Sequence, residues 1–229
     1  MTENESSPGP PRLFAIAIIA FWTLLCLVPF VYRDDLGERD AFRMFNAVMN
    51  GPGRNALLSG DSYNRNISFG YYAWVCFGSR LFGGTAHAVA SVMNFGNPIF
   101  TLILAIGAYF FALRFFRRES AALIGALLLP TLPALWYTSL YGHPSVPSLA
   151  AAVLAFATAL SRRPVVRWAG TVLLFSVALV FRLDAALLHP ALFFLFLERN
   201  ESYRNAALQT VAVSTCALLV FFTLRRLAV

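Results

Sequence analysis

Residues 13–32 read LFAIAIIAFWTLLCLVPFVY, and Arg33, Asp34 and Asp35 follow at once. An uncharged apolar run of this length is what an α-helix needs to cross the roughly 30 Å hydrocarbon core of a bilayer. No small-residue cleavage site of the A-x-A kind follows it, so it reads as a retained span and not as a signal peptide. The same texture recurs at about residues 90–116, 120–140, 144–160, 165–181, 185–197 and 205–224. Together these segments predict an all-α polytopic membrane helix bundle of about seven spans, with interfacial helices in the first extracytoplasmic loop. The composition excludes a water-soluble domain: 59% of residues are hydrophobic, 13% are charged and the mean hydropathy is +0.66. A soluble fold carries about twice that charge, roughly 25%.

Residues 1–12 are polar and rich in Pro, Ser and Glu, which predicts a disordered cytoplasmic tail. Residues 13–229 then form one transmembrane domain, with 33–89 as its first extracytoplasmic loop. The net charge of +7 comes from arginine alone, since the chain has no lysine. Its arginines stand beside apolar runs, where they mark topology and lipid headgroups, so nucleic acid is not expected as a partner. Exclusive use of arginine reflects GC-rich coding and points to a bacterial inner membrane. A cytoplasmic N-terminus puts Arg114, Arg117, Arg118, Arg162, Arg163, Arg167, Arg199 and Arg204 on the cytoplasmic side, as the positive-inside rule requires. It also sends the segment 33–66, the Tyr141 to Pro144 turn and the Phe181 to Asp184 turn to the outer face. Arg225 and Arg226 fall on that outer side too, against the rule.

The segment 33–66 holds five of the eleven acidic residues. Asp34 and Asp35 adjoin the first span, where a carboxylate meets the headgroup of a lipid-linked substrate. Sugar transfer from a polyprenyl phosphate needs one such base, to deprotonate the acceptor hydroxyl as the anomeric carbon loses phosphate. The plainer alternative is a solvated cap balanced by Arg33 and Arg39. From Asp40 to Gly51, Phe42, Phe45, Val48 and Met49 recur at helical spacing, which predicts an amphipathic helix on the bilayer surface. Residues 67–83 are aromatic, Gly-rich and short for a span. They predict an interfacial or re-entrant helix with Tyr71, Tyr72 and Trp74 at headgroup level.

Arg182 and Asp184 end an apolar segment, where ionisable groups are costly and have a task or a partner. Arg182 as a phosphate ligand and Arg182 as the local ion-pair partner of Asp184 stand equal on the sequence. His143 is a candidate ligand for phosphate or an acceptor hydroxyl, with a polar turn as the plainer reading. His189-Pro190 predicts a kink inside a later span, with His189 structural. Cys26, Cys76 and Cys216 are too scattered for a zinc site or disulfide framework. Gly-rich phosphate loops and metal-ligand clusters are absent from the pattern, so no metal site is expected.

In order along the chain, the aspartates after the first span, the Asp40 to Gly51 run, Ser68 to Trp74, Leu81 to Gly84 and the arginines after residue 113 resemble the GT-C superfamily of integral-membrane glycosyltransferases. The resemblance implies a polyprenyl-phosphate sugar as donor and inverting transfer on the extracytoplasmic face. It implies Asp35 or Asp34 as base, ahead of Asp40, and Arg182 holding the donor phosphate with help from Arg33 or Arg39. It also implies Tyr71, Tyr72 and Trp74 along a lipid-facing groove, and it leaves a divalent cation open, since relatives differ. The acidic motif lacks the Asp-Glu pair of many members. Two other readings remain: a non-catalytic transport or assembly component with a partner membrane subunit, and the first half of a split enzyme.

Overall fold

The computed structural model describes residues 12–31, 44–46, 48–49, 69–140, 143–199 and 202–228. Every regular element among them is helical. Helix α1 spans Arg12–Val31, α2 spans Phe69–Leu81 and α3 spans Ala86–Phe116. Helix α4 is Glu119–Leu128, continued by a 3-10 turn Leu129–Thr131 into α5, Pro133–Leu140. Helix α6 is Ser145–Ala159, and a π turn Val166–Gly170 opens α7, Thr171–Phe181. A 3-10 stretch Leu183–Leu188 leads into α8, His189–Glu198, and α9 is Tyr203–Ala228.

By length and composition, Ala86–Phe116 and Tyr203–Arg226 are each sufficient to cross a membrane. Helix α1 runs unbroken for 20 residues through the first expected span and α6 for 15, whereas the segments at 120–140, 165–181 and 185–197 contain 3-10 or π stretches. The run 120–140 breaks at Leu129–Thr131, because Pro130 and Pro133 lack the amide hydrogen that a continuing helix needs. Pro190 likewise stands in the first turn of α8, where its missing donor costs nothing, and does not kink a helix interior.

Helix α3 is the longest of these, about 46 Å at 1.5 Å per residue, and so exceeds the hydrocarbon thickness by several turns. Thr85 caps its start by accepting from the Ala88 amide at 3.2 Å. Arg117, at φ 56°, closes its end with a backbone bond to the Leu113 carbonyl at 3.1 Å. The α2–α3 turn passes through Gly83 and Gly84 at φ 90° and 67°, a left-handed path that suits glycine.

The largest core joins α6, α7, α8 and α9. Small residues on α6, among them Ala151, Ala152, Ala155 and Ala159, let Phe175, Leu179 and Phe196 approach closely. A second core packs Ala15 and Ile19 of α1 against Ala105 and Tyr109 of α3 and Ala122 and Ala126 of α4. The Trp22 indole ties α1 to the Leu127 carbonyl at 3.0 Å. Leu173, Phe194, Val211 and Leu219 point outward on the opposite surfaces. Such an apolar exterior is the one a bilayer, not water, would cover.

The bundle has two chemically distinct ends. At one, Arg114 donates to the Ala157 carbonyl, and Arg199 donates to the carbonyls of Leu160 and Ser161 at 2.9 and 2.6 Å. The arginines of the 160–167 connection join them there. The other end holds the turns at 143–145 and 182–184.

Candidate active site

The turns at 143–145 and 182–184 are built where helices stop. Helix α7 ends because Arg182 takes an extended conformation, φ −152° and ψ 122°, while its amide still bonds the Ala178 carbonyl at 2.8 Å. The side chain then folds onto Asp184: Nε donates to Oδ1 at 2.9 Å and Nη2 to Oδ2 at 2.5 Å. Nη1 donates to the Ser145 hydroxyl at the start of α6. The local ion pair read from the sequence is therefore made. A guanidinium has five N–H donors, and these bonds leave two of them for a further acceptor. Arg182 is 21% exposed and Asp184 49%, so the fork is sheltered yet reachable from outside.

His143 belongs to the same constellation. The Ser145 amide donates to its Nδ1 at 3.2 Å, which leaves Nε2 as the proton-bearing nitrogen of the neutral ring. The Asn97 side-chain amide, fully buried in α3, donates to the carbonyls of His143 and Thr138, both at 3.0 Å. One residue thus pins the two chain segments that flank the turn, while Asn97 Oδ1 stays without a hydrogen-bond partner. One turn inward, the Ser148 hydroxyl donates to the Ala178 carbonyl at 3.0 Å, locking α6 to α7 below Arg182.

Aromatic packing carries this end across to α2. Phe181 meets Phe100 at 5.5 Å and Phe100 meets Trp74 at 5.4 Å, both edge-on. A Cβ on Gly70 would fall 2.7 Å from the Val180 carbonyl oxygen, so the backbones of α2 and α7 touch. Phe69 packs on Phe221 of α9 at 5.9 Å, which places Arg225 and Arg226, about one turn further on, at this same end.

The structure thus brings Arg182, Asp184 and His143 together. Tyr71 and Tyr72 differ from their expected place at headgroup level: they are 0% and 5% exposed and pack with Val75, Val92 and Met93. Helix α2 packs antiparallel along the first part of α3, and that contact covers its aromatic face. Burial pushes the Tyr71 phenol above the ordinary tyrosine range. His189 is buried and stacks on Phe175 at 4.5 Å, a packing role. Arg33, Asp34, Asp35, Arg39 and Asp40 lie outside the described residues. Asn97 and Ser145 were not singled out from the sequence. An asparagine within an apolar helix, followed by Pro98, was the available signal for Asn97.

Among the described residues, no group of three or more His, Cys, Asp or Glu is placed to hold a metal ion. No curated protein and no solved structure matches the chain. A protein-family model described as dolichyl-phosphate-mannose-protein mannosyltransferase matches residues 71–225, from the buried face of α2 to the last turns of α9. That stretch is well over half of the chain and includes every described residue of the Arg182 constellation. The chain therefore belongs to the dolichyl-phosphate-mannose-protein mannosyltransferase family, and with it to the GT-C superfamily of membrane glycosyltransferases.

Proposed function

We propose that this protein transfers a sugar from a polyprenyl-phosphate donor to an acceptor on the extracytoplasmic face of a bacterial inner membrane, with a cytoplasmic N-terminus and about seven spans. The observation that carries the reading is the Arg182 guanidinium. It is held by Asp184 and Ser145 at the bundle end opposite the arginine-rich connections, with N–H groups left over for an anion. Family membership supports this donor class, a sugar on a long-chain lipid phosphate.

In this mechanism Asp35 or Asp34, with Asp40 next in rank, takes the proton of the acceptor hydroxyl. The freed oxygen bonds to the anomeric carbon from the face opposite the phosphate. The bond from that carbon to the phosphate oxygen breaks, and the polyprenyl phosphate leaves with the electron pair, so configuration inverts. Arg182 meets the charge on the leaving phosphate through charge-assisted hydrogen bonds, helped by Arg33 or Arg39.

The test is an Asp34→Asn/Asp35→Asn double variant of the purified, detergent-solubilised protein, assayed with a panel of polyprenyl-phosphate sugars and a membrane-lipid acceptor extract. Wild-type turnover that falls by about 100-fold or more in the variant, with donor binding retained, is the expected result, since a positioned general base contributes roughly that factor. A folded wild type that binds donor but turns none over removes the catalytic reading in favour of a transport or assembly component.

A further inference from the structure

The α2–α3 hairpin carries a second site. A cavity of about 530 Å³ opens between α2, the helical residues 48–49 and the start of α3. Tyr72, Cys76 and Arg80, spaced four apart, run along the α2 face that lines it, whereas Gly70, Trp74 and Gly78 face α7 and α3. Met49, Phe77 and Val89 complete an apolar wall. The cavity therefore lies on the far side of α2 from Arg182.

Its chemistry is amphiphilic. Arg80 stands exposed in the last turn of α2. Among the described residues, Asp184 is the acidic side chain at this end of the bundle, and it is engaged by Arg182. Close to Arg80 in the chain, Phe77, Leu81 and Phe82 are 63%, 67% and 72% exposed, and Phe77 lines the cavity. A soluble anion would use the cation and have nothing to place on these apolar side chains. A zwitterionic or neutral lipid would use them and bring no net charge to the cation. A phospholipid with net negative charge uses both, with phosphate on the guanidinium and a chain along the wall.

We propose that this cavity is the seat of an anionic phospholipid, its phosphate on Arg80 and its chain against Phe77, Met49 and Val89, distinct from the donor site at Arg182. The lipid moors the α2–α3 hairpin at the outer membrane surface. This assignment does not depend on the transfer reaction, because it is read by occupancy alone.

Cys76 supplies the readout, since its half-buried thiol faces the cavity. In the full chain, Cys26 and Cys216 are replaced by alanine, and the protein is placed in nanodiscs of phosphatidylcholine alone or with added phosphatidylglycerol. Alkylation of Cys76 by a water-soluble maleimide should slow roughly ten-fold with phosphatidylglycerol, the factor expected from one charge-assisted hydrogen bond. Arg80→Gln should bring the ratio of the rates in the two lipids to one; its rate in phosphatidylcholine should itself fall, because the Arg80 charge favours the Cys76 thiolate. Arg80→Lys should retain much of the slowing. Equal rates in both lipids, or slowing that survives Arg80→Gln, would overturn the proposal. Equal protection by soluble glycerol 3-phosphate would overturn the assignment to a lipid. Protection by polyprenyl phosphate at far lower concentration than by phosphatidylglycerol would assign the seat to the donor and overturn it too.

Discussion

Arg182 illustrates how one side chain can be both neutralised and available. Asp184 removes its net charge, yet the planar fork, 21% exposed, keeps two N–H groups that neither Asp184 nor Ser145 uses, so the pair forms a dipole and not a closed bridge. Geometry as well as charge is then required. Arg182→Lys keeps the cation but cannot reach both Asp184 oxygens and Ser145 at once. We expect Arg182→Gln to weaken donor binding by about ten-fold or more and Arg182→Lys to recover only a minor part, measured as donor affinity in nanodiscs. Full recovery by lysine would reduce the role of Arg182 to a point charge. Arg182, Asp184 and His143 were legible in the sequence because ionisable groups at the ends of apolar runs stand out. Ser145 and Asn97 were not, since a serine beside Pro144 and one asparagine within a long apolar helix look ordinary until their partners are placed.

At the scale of elements, α2 shows what hydrophobic pattern can and cannot say. Its short, aromatic, Gly-rich sequence predicts a helix of its own, which forms, but the pattern shows only that a face is apolar, not what will cover it. A lipid headgroup layer and the flank of an over-long neighbouring helix make the same demand. The deciding residues are glycines: Gly70 lets α2 touch the α7 backbone and Gly78 admits Val92. A methyl group at Gly70 would meet the Val180 carbonyl oxygen at 2.7 Å, and backbone cannot step aside as a side-chain tip can. Gly70→Ala should therefore lower stability by about 1–3 kcal/mol, the usual cost of overpacking. Gly125, in the interior of α4 with open space around its Cβ position, is the control. Gly125→Ala should be neutral or stabilising by up to roughly 1 kcal/mol. Thermal unfolding of both variants in the same detergent checks the pair, and equal shifts would show that α2 is not seated on α7.

For the whole molecule, the separation of two kinds of arginine is the organising feature. The sequence pattern groups Arg114 and Arg199 on one side, and they do converge on the carbonyls of residues 157–161 at one end of the bundle. Breaks within the spans were less legible, because an apolar run looks continuous while prolines and a π turn divide it. Arg80, Arg182, Arg225 and Arg226 sit toward the opposite end; with the proposed cytoplasmic N-terminus the positive-inside rule would disfavour them there, and the proposed anion sites give Arg80 and Arg182 a reason to be kept. Helix α3 connects the two ends, so a bilayer around its middle must leave Phe82 and Arg162 on different sides. In a chain whose own cysteines are replaced, Phe82→Cys and Arg162→Cys should react with a membrane-impermeant maleimide from opposite faces of sealed inverted and right-side-out vesicles. Phe82→Cys should label from the extracytoplasmic side alone and Arg162→Cys from the cytoplasmic side alone. Labelling of both from one side would mean that α3 does not carry the chain across between them. The outer constellation of Arg182 and His143 would then share a compartment with the arginine-rich connections, and transfer on the extracytoplasmic face would no longer follow.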